Sequence, residues 1–262
     1  MPLRERLGLE VHQVMTPVLE DRLCHLAITA TSYNRAGELA RKFGIATDDS
    51  QIQRVVQRIG ERAEAQAEER VSSAFDLQKR KEVVREAELE CKKKPFSLVL
   101  MLDGTMLRTR GVDWGLKPAS APGERVAWHE LKAGLVIRIP ESSSGKRQEL
   151  AKYYVADAGG PEAIGRKLYA EALRRGLEQA KGVYVVADGA AWIWRLAEEH
   201  FPESSGTLDY FHASEHLWAL ARSFCKDNED AVRAWVEPLL KTLKYRGGEE
   251  LVPVLEELLK TA

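Results

Sequence analysis

Apolar positions fall at helical spacing through the first third of the chain and at strand spacing from residue 95 onward. Val18, Leu19, Leu23, Leu26 and Ala27 form a helix-period stripe after Pro17, so residues 1–30 read as helical. Ala36, Leu39, Ala40 and Phe43 follow at i, i+3, i+4 and i+7, and Gly44 is the helix stop. Asp48, Asp49 and Ser50 are good caps for a second helix, with Gln51 placed for a capping box. That helix carries Ile52, Val55, Val56 and Ile59 on one face, and Gly60 is expected to close it. Two short amphipathic helices around a glycine-led turn predict a helix-turn-helix within residues 1–60.

The polar face of this pair holds Arg35, Gln51, Gln53, Arg54, Gln57 and Arg58. Glutamine and arginine reach base edges and phosphates in a DNA major groove, so these six are the candidate DNA contacts. The pattern also describes any small helical hairpin with a solvated face, and the turn is about two residues longer than in the tightest DNA-binding forms. Residues 61–94 are dominated by Glu, Arg, Lys, Gln and Ala, with Ala63, Ala67, Val71, Ala74 and Phe75 as the apolar thread. They read as a charged helical linker or hairpin, with a solvated spacer as the plainer description. Lys92, Lys93, Lys94 and Pro95 mark its end.

Strand patterns then begin. Residues 96–102 form a continuous apolar run expected to be buried on both faces, leaving by Asp103-Gly104. Residues 108–125 are rich in Gly and Pro and read as a loop or broad hairpin turn. Residues 126–139 alternate as a half-buried strand should, residues 142–145 turn the chain, and residues 153–156 supply a third strand. Pro161 opens a helix expected to reach about Ala180. Residues 183–187 make a fourth strand ending in Asp188-Gly189, followed by a helix over 190–200. A short strand over 207–211, a helix over 213–225, and a helical stretch from 228 broken at 245–248 complete the chain. The order is β-β-β-α-β-α-β and then helices: an α/β core over 95–226, with 227–262 as a helical appendage.

Composition narrows this picture without deciding it. Hydrophobic residues are 44% and charged residues 30% of 262, the balance of a globular chain rather than a disordered one. The longest apolar run is too short for a membrane span, and no signal-peptide pattern opens the chain. Cys24, Cys91 and Cys225 are widely separated, which suits a reducing compartment and a cytoplasmic address. A net charge of −1 leaves DNA contact to local basic faces.

The chemistry-bearing residues are acidic. If the first and fourth strands are neighbours, Asp103 and Asp188 emerge side by side, and two bare carboxylates there repel unless a divalent cation joins them. Two such ions about 3.5–4 Å apart can activate a hydroxyl and stabilise the leaving oxygen of a phosphodiester. The glycine after each aspartate would leave room for a nucleic-acid backbone, although Asp-Gly is also a common way to leave a strand. His212 and His216 stand at i and i+4 near Asp209. They can hydrogen-bond Asp209 and position a helix beside the acidic pair, or ligate a metal. The Ser143-Ser144-Gly145-Lys146 and Gly160 to Gly165 stretches lack the context of phosphate loops. Trp192, Trp194 and Trp218 can stack on bases, but beside Ile193 and Leu196 they fit core positions.

Four stretches carry a resemblance: Tyr33-Asn-Arg-Ala-Gly-Glu-Leu-Ala40; Leu102-Asp103-Gly104-Thr105; Val186-Ala187-Asp188-Gly189-Ala190-Ala-Trp192-Ile-Trp194; and Leu208-Asp209-Tyr-Phe-His212-Ala-Ser-Glu-His216-Leu-Trp218. Together they resemble bacterial insertion-sequence DDE transposases of the ISKra type, which are related to the Mutator-like group. The resemblance implies a ribonuclease H-like mixed sheet with the first and fourth strands adjacent. It implies that Asp103 and Asp188 are the first two catalytic acids, and that Asp209 and His212 match the C/D-x-x-H signature. It further implies Mg²⁺ (or Mn²⁺) as cofactor with two ions in a complete site, and DNA as partner at transposon ends and target. A homo-oligomer assembled on DNA, near the bacterial nucleoid, goes with it; a membrane and a small-molecule cofactor do not. In such proteins a later helix supplies a catalytic glutamate. Glu215, Glu256 and Glu257 do not sit in that context, so the expectation is a truncated chain with an incomplete site and an uncovered apolar surface. A DNA-binding relic without chemistry and a ribonuclease H-like nuclease that only hydrolyses are the rival expectations.

Overall fold

The computed structural model describes residues 15–91, 95–112, 126–141, 150–225 and 228–261. The expected turn at 142–145, the lysines at 92–94 and most of the Gly/Pro-rich segment 108–125 lie outside them. Contacts divide the chain into two compact units, Met1–Arg70 and Val71–Ala262.

The first unit contains α1 (Pro17–Thr29), α2 (Tyr33–Lys42) and the first part of α3 (Asp49–Phe75). Thr16 and Ser32 cap α1 and α2 by accepting the N–H groups of Leu19 and Arg35. At the end of α2, Ile45 N–H reaches Ala40 O and Gly44 N–H reaches Arg41 O, with Gly44 at φ +75°. This is a Schellman closure, and the left-handed residue it needs is glycine for lack of a Cβ. Asp48 Oδ1 then accepts Gln51 N–H at 2.7 Å to start α3. Leu23, Ala36, Ala40, Ile52 and Val55 are buried together, the residues that the periodicity placed inside. Gly60 does not close the helix: α3 continues through it to Phe75. A mid-helix glycine costs about 1 kcal/mol relative to alanine. Strong helix formers on the C-terminal side, from Glu61 to Glu69, carry the helix past it.

In the second unit, α4 (Leu77–Cys91) folds back after Asp76, whose carboxylate accepts the N–H groups of Gln78 and Lys79 at 2.9 Å. Those two bonds hold the Asp76 carboxyl below its usual range. Ala74, Val71, Val83 and Val84 pack with Ala170 and Leu173. From residue 71 onward the charged segment is therefore docked on the α/β core rather than a solvated spacer, because its few apolar positions find a partner.

The core is a five-stranded sheet in the order β3-β2-β1-β4-β5. Its strands are β1 (Phe96–Arg110), β2 (Val126–Pro140), β3 (Lys152–Asp157), β4 (Val183–Ala187) and β5 (Ser205–Leu208). β1–β2 and β2–β3 are antiparallel, and β1–β4 and β4–β5 are parallel. The β4 and β5 crossovers run through α5 (Pro161–Arg174) and α6 (Ala191–His200). The expected element order and the β1–β4 adjacency are both observed. Leu98, Leu100, Leu102, Val136, Val185 and Ala187 are buried with Ile164 and Leu168 of α5 and Ile193 and Leu196 of α6. Each of the leucine, isoleucine and valine side chains stabilises by about 1.5–3 kcal/mol. Helices α7 (Tyr210–Cys225), α8 (Glu229–Arg246) and α9 (Gly248–Thr261) have their own cluster around Leu217, Val232 and Val236.

Several boundaries differ from the sequence reading, each for a local reason. The run 96–102 is buried on one face only, with Ser97, Val99 and Met101 half-exposed. β1 does not leave the sheet at Asp103-Gly104, because β2 pairs with it as far as Arg110↔Val126 and satisfies its backbone. Helix α5 ends at Arg174, where Gly176 takes φ +91° and a 3₁₀ turn (Leu177–Gln179) follows. β5 ends at Leu208 and α7 starts at Tyr210, because Asp209 accepts Phe211 N–H with its side chain and Ala213 N–H with its carbonyl.

A candidate metal centre at the ends of three strands

Leu102 of β1 is paired in register with Ala187 of β4, and Ala187 with Leu208 of β5. The residue that follows each is an aspartate: Asp103 within β1, and Asp188 and Asp209 just past the ends of β4 and β5. Three acids thus follow one row across adjacent strands, at a strand spacing of about 4.8 Å. The row is extended by Asp209 N–H donating to Ala187 O at 2.7 Å.

The three are not equivalent. Asp103 is exposed and stands within the β1–β2 ladder opposite Ala133. Asp188 is half-buried, and its Oδ1 accepts Ala190 N–H at 2.8 Å at the start of α6. Helix-end N–H groups favour a carboxylate there, so Asp188 is oriented by the helix it precedes. Asp209 Oδ1 accepts Phe211 N–H at 3.3 Å, the longest of these bonds.

A hollow of about 430 Å³ opens above the row. Its walls include all three aspartates with His212 and Glu215, and its floor is apolar, with Met101, Leu135 and Val186. No lysine or arginine is among the described residues that line it. The nearby cations are engaged elsewhere. Buried Lys132 binds Glu130 at 2.7 Å and Gly159 O at 3.1 Å, and Lys167 binds Asp157 at 2.7 Å. Burial acts to raise the Asp157 carboxyl, but Lys167, the Gly159 N–H and the charge of Lys132 together hold it below its usual range. An uncompensated carboxylate row with an open approach is chemistry that suits a hard divalent cation with oxygen and water ligands. Among the described residues, no three His, Cys, Asp or Glu side chains already converge as a metal cage.

The histidines differ from expectation. His212 and His216 bond to each other through their Nε2 atoms at 3.0 Å, with the rings nearly perpendicular, and not to Asp209. His212 stands over Gly189, where an added Cβ would lie 4.0 Å from its Nε2. Beside Gly104 lies the carboxylate of Glu130, whose Oε1 would be 2.5 Å from an added Cβ. Gly104 makes room for that carboxylate.

The six candidate DNA contacts in the helical unit also separate. Arg58 is paired with the buried carboxylate of Glu20 on α1, so its charge holds the unit together. Arg35 pairs with Glu38 at 2.6 Å on the same helix. Gln51 accepts a hydrogen bond from Thr47 Oγ1 at 3.2 Å beside the α3 cap. Arg54 donates from Nε to Ser50 O at 3.2 Å and is exposed, as are Gln53 and Gln57. Arg58 could not be sorted from Arg54 by pattern, because its partner lies 38 residues away.

No protein-family model matches the chain, and no curated protein matches its sequence.

Proposed function

We propose that this chain is a metal-dependent DNA phosphoryl transferase of the insertion-sequence transposase type, built on a ribonuclease H-like core. The observation that carries the reading is the aspartate row that follows Leu102, Ala187 and Leu208 on three adjacent strands. The antiparallel β1-β2-β3 series with parallel crossovers to β4 and β5 is the topology such a core requires.

Asp103 and Asp188 would hold Mg²⁺ or Mn²⁺ through carboxylate oxygens, with two ions in a complete site. A bound divalent ion would supply Lewis-acid activation of the nucleophile and charge neutralisation at the scissile phosphate. The chain's own residues set the stage. Asp188, with one oxygen tied to Ala190 N–H, keeps a fixed direction. The apolar floor limits water beneath the acids, and among the described residues no lining lysine or arginine neutralises the carboxylates. Gln53, Arg54 and Gln57 are the contacts by which α3 would hold DNA. Assembly of several copies on DNA, and a location with the nucleoid in the cytoplasm, belong to this reading.

A second reading is a DNA-binding protein without chemistry, favoured by the lack of a converged three-ligand cage among the described residues. Nicking of supercoiled plasmid in Mg²⁺ or Mn²⁺ separates them. The proposal expects nicking by the wild type and none by Asp188→Ala. Equal activity in the two proteins removes the catalytic assignment. DNA binding without nicking in either, lost in Arg54→Ala, selects the second reading.

A further inference from the structure

Helix α7, which follows the aspartate row, carries two side chains that the proposed chemistry does not use. His212 and His216 stand at i and i+4, so they share one face of the helix. Their Nε2 atoms lie 3.0 Å apart, with the ring planes at 83° and the ring centroids 4.6 Å apart. Among the described residues, the histidine that pairs with a carboxylate is His25, beside Asp21 on α1. His212 and His216 have each other.

Between neutral imidazoles, such a contact needs one Nε2 as donor and the other as acceptor. A metal ion uses the same geometry differently: with both protons on Nδ1, both Nε2 atoms become ligands. At metal–nitrogen bonds of about 2.0–2.1 Å, nitrogens 3.0 Å apart subtend roughly 90–100° at the ion. That is the angle between adjacent positions of a square or octahedral ion, narrower than a tetrahedral one. Imidazole suits copper, nickel and zinc rather than magnesium, and Cu²⁺ and Ni²⁺ favour square or tetragonal fields of nitrogen and oxygen. His216 is exposed, so an ion can reach the pair from solvent. His212 lines the hollow together with Asp209 and Glu215. Among the described residues no third side chain converges with the two rings, which leaves the other positions to water.

We infer that His212 and His216 form a bidentate site for a divalent late transition-metal ion, Ni²⁺ or Cu²⁺ in preference to Mg²⁺, at the rim of the hollow. A bound ion joins two successive turns of α7 beside the aspartate row. The site is made by α7 alone and does not depend on the proposed DNA chemistry. The row offers oxygen to a hard ion, and the pair offers nitrogen to a softer one.

The test is isothermal titration calorimetry of the untagged full chain, stripped with EDTA and dialysed, with Ni²⁺ as titrant in excess Mg²⁺. The wild type is expected to bind about one Ni²⁺ per chain through this pair. His212→Gln and His216→Gln should each weaken binding at least about tenfold, since even outer-shell partners of a metal are worth 10–100-fold. His25→Gln, on α1, should change it less than about twofold. Cu²⁺ on the wild type should show electron paramagnetic resonance coupling to two imidazole nitrogens. Because His216 is exposed, its variant keeps the fold, and its affinity is decisive. Wild-type Ni²⁺ affinity in His216→Gln overturns the inference, as does a wild type that takes up no Ni²⁺ or couples Cu²⁺ to a single imidazole. So does Ni²⁺ uptake that Asp188→Ala abolishes and both histidine variants keep, since the ion would then lie in the row. Plasmid nicking keeps the two proposals apart. Mg²⁺-dependent nicking with no histidine-dependent Ni²⁺ binding leaves the chemistry standing and this site refuted. Histidine-dependent Ni²⁺ binding in a chain that never nicks does the reverse.

Discussion

The two faces of the sheet are built from alternate residues of the same strands, yet they differ in kind. Leu98, Leu100 and Leu102 of β1 face α5 and α6 and are fully or almost fully buried. Val99, Met101 and Asp103, one position out of step, face a half-open side where Tyr154 is 72% exposed and Phe211 on α7 is 73% exposed. Ions on the closed side are paired, as in Lys167–Asp157 and Lys132–Glu130. Acids on the open side line a hollow to which, among the described residues, no lysine or arginine contributes. One face holds the fold and the other leaves its charges available, and a period of two is enough to sort residues between them.

The sharpest way to break this contrast is at the aspartate row. Asp188→Ala is expected to reduce metal-dependent plasmid nicking by at least about 100-fold, since even outer-sphere partners of metal sites are worth 10–100-fold. Its melting temperature should stay close to that of the wild type, because the open face carries little of the stability. A variant that loses activity only by unfolding would place Asp188 with the closed face instead.

Next in size is a matched pair on one strand. Leu100→Ala removes a side chain with no exposure and should cost about 2–5 kcal/mol in urea unfolding. Met101→Ala, its half-exposed neighbour, should cost less than about 1.5 kcal/mol. Equal losses would mean that the open face is covered in solution. Gly134→Ala probes the same closed side by overpacking. The new methyl would lie 2.7 Å from Val155 Cγ2 and 3.1 Å from Leu168 Cδ1, so about 1–3 kcal/mol is expected.

How much of this could be read in the chain follows the same division. Local pattern found the helices and strands, since apolar periodicity and caps such as Asp48 and Asn228 act within a few residues. It also found Asp103 and Asp188, because each follows an apolar run. It did not find that β1 and β2 stay paired beyond Gly104. Thr105 to Arg110 is a strand only because β2 pairs with it, and Asp103-Gly104 has the composition of a turn. Nor did it reveal that Gly104 accommodates Glu130, or that Arg58 is held by Glu20. Those facts depend on partners distant in sequence. It read residues 96–102 as buried on both faces, since an unbroken apolar run looks the same whether one side is covered or two.

The smallest expected effect distinguishes histidines on the two sides. On the open side, His212 and His216 satisfy each other. On the closed side, His200 sits over Gly165 at the α5–α6 contact, among Phe75, Tyr169 and Phe201, and its buried Nε2 has no hydrogen-bond partner. Desolvation lowers its pKa; Glu199 and Glu162 oppose this and Arg166 adds to it. The sign is fixed by linkage. Below the ordinary value of 6.5 the unfolded chain takes up a proton that folded His200 resists, so unfolding is favoured. The contribution is whole above pH 6.5 and is lost as pH falls toward the lowered folded value. Urea midpoints measured from pH 7.5 to 5 should therefore drop more in the wild type than in His200→Leu. A His200→Leu protein with the same pH slope as the wild type would show that the imidazole meets water, and that this side of the sheet is not closed at its α5–α6 edge.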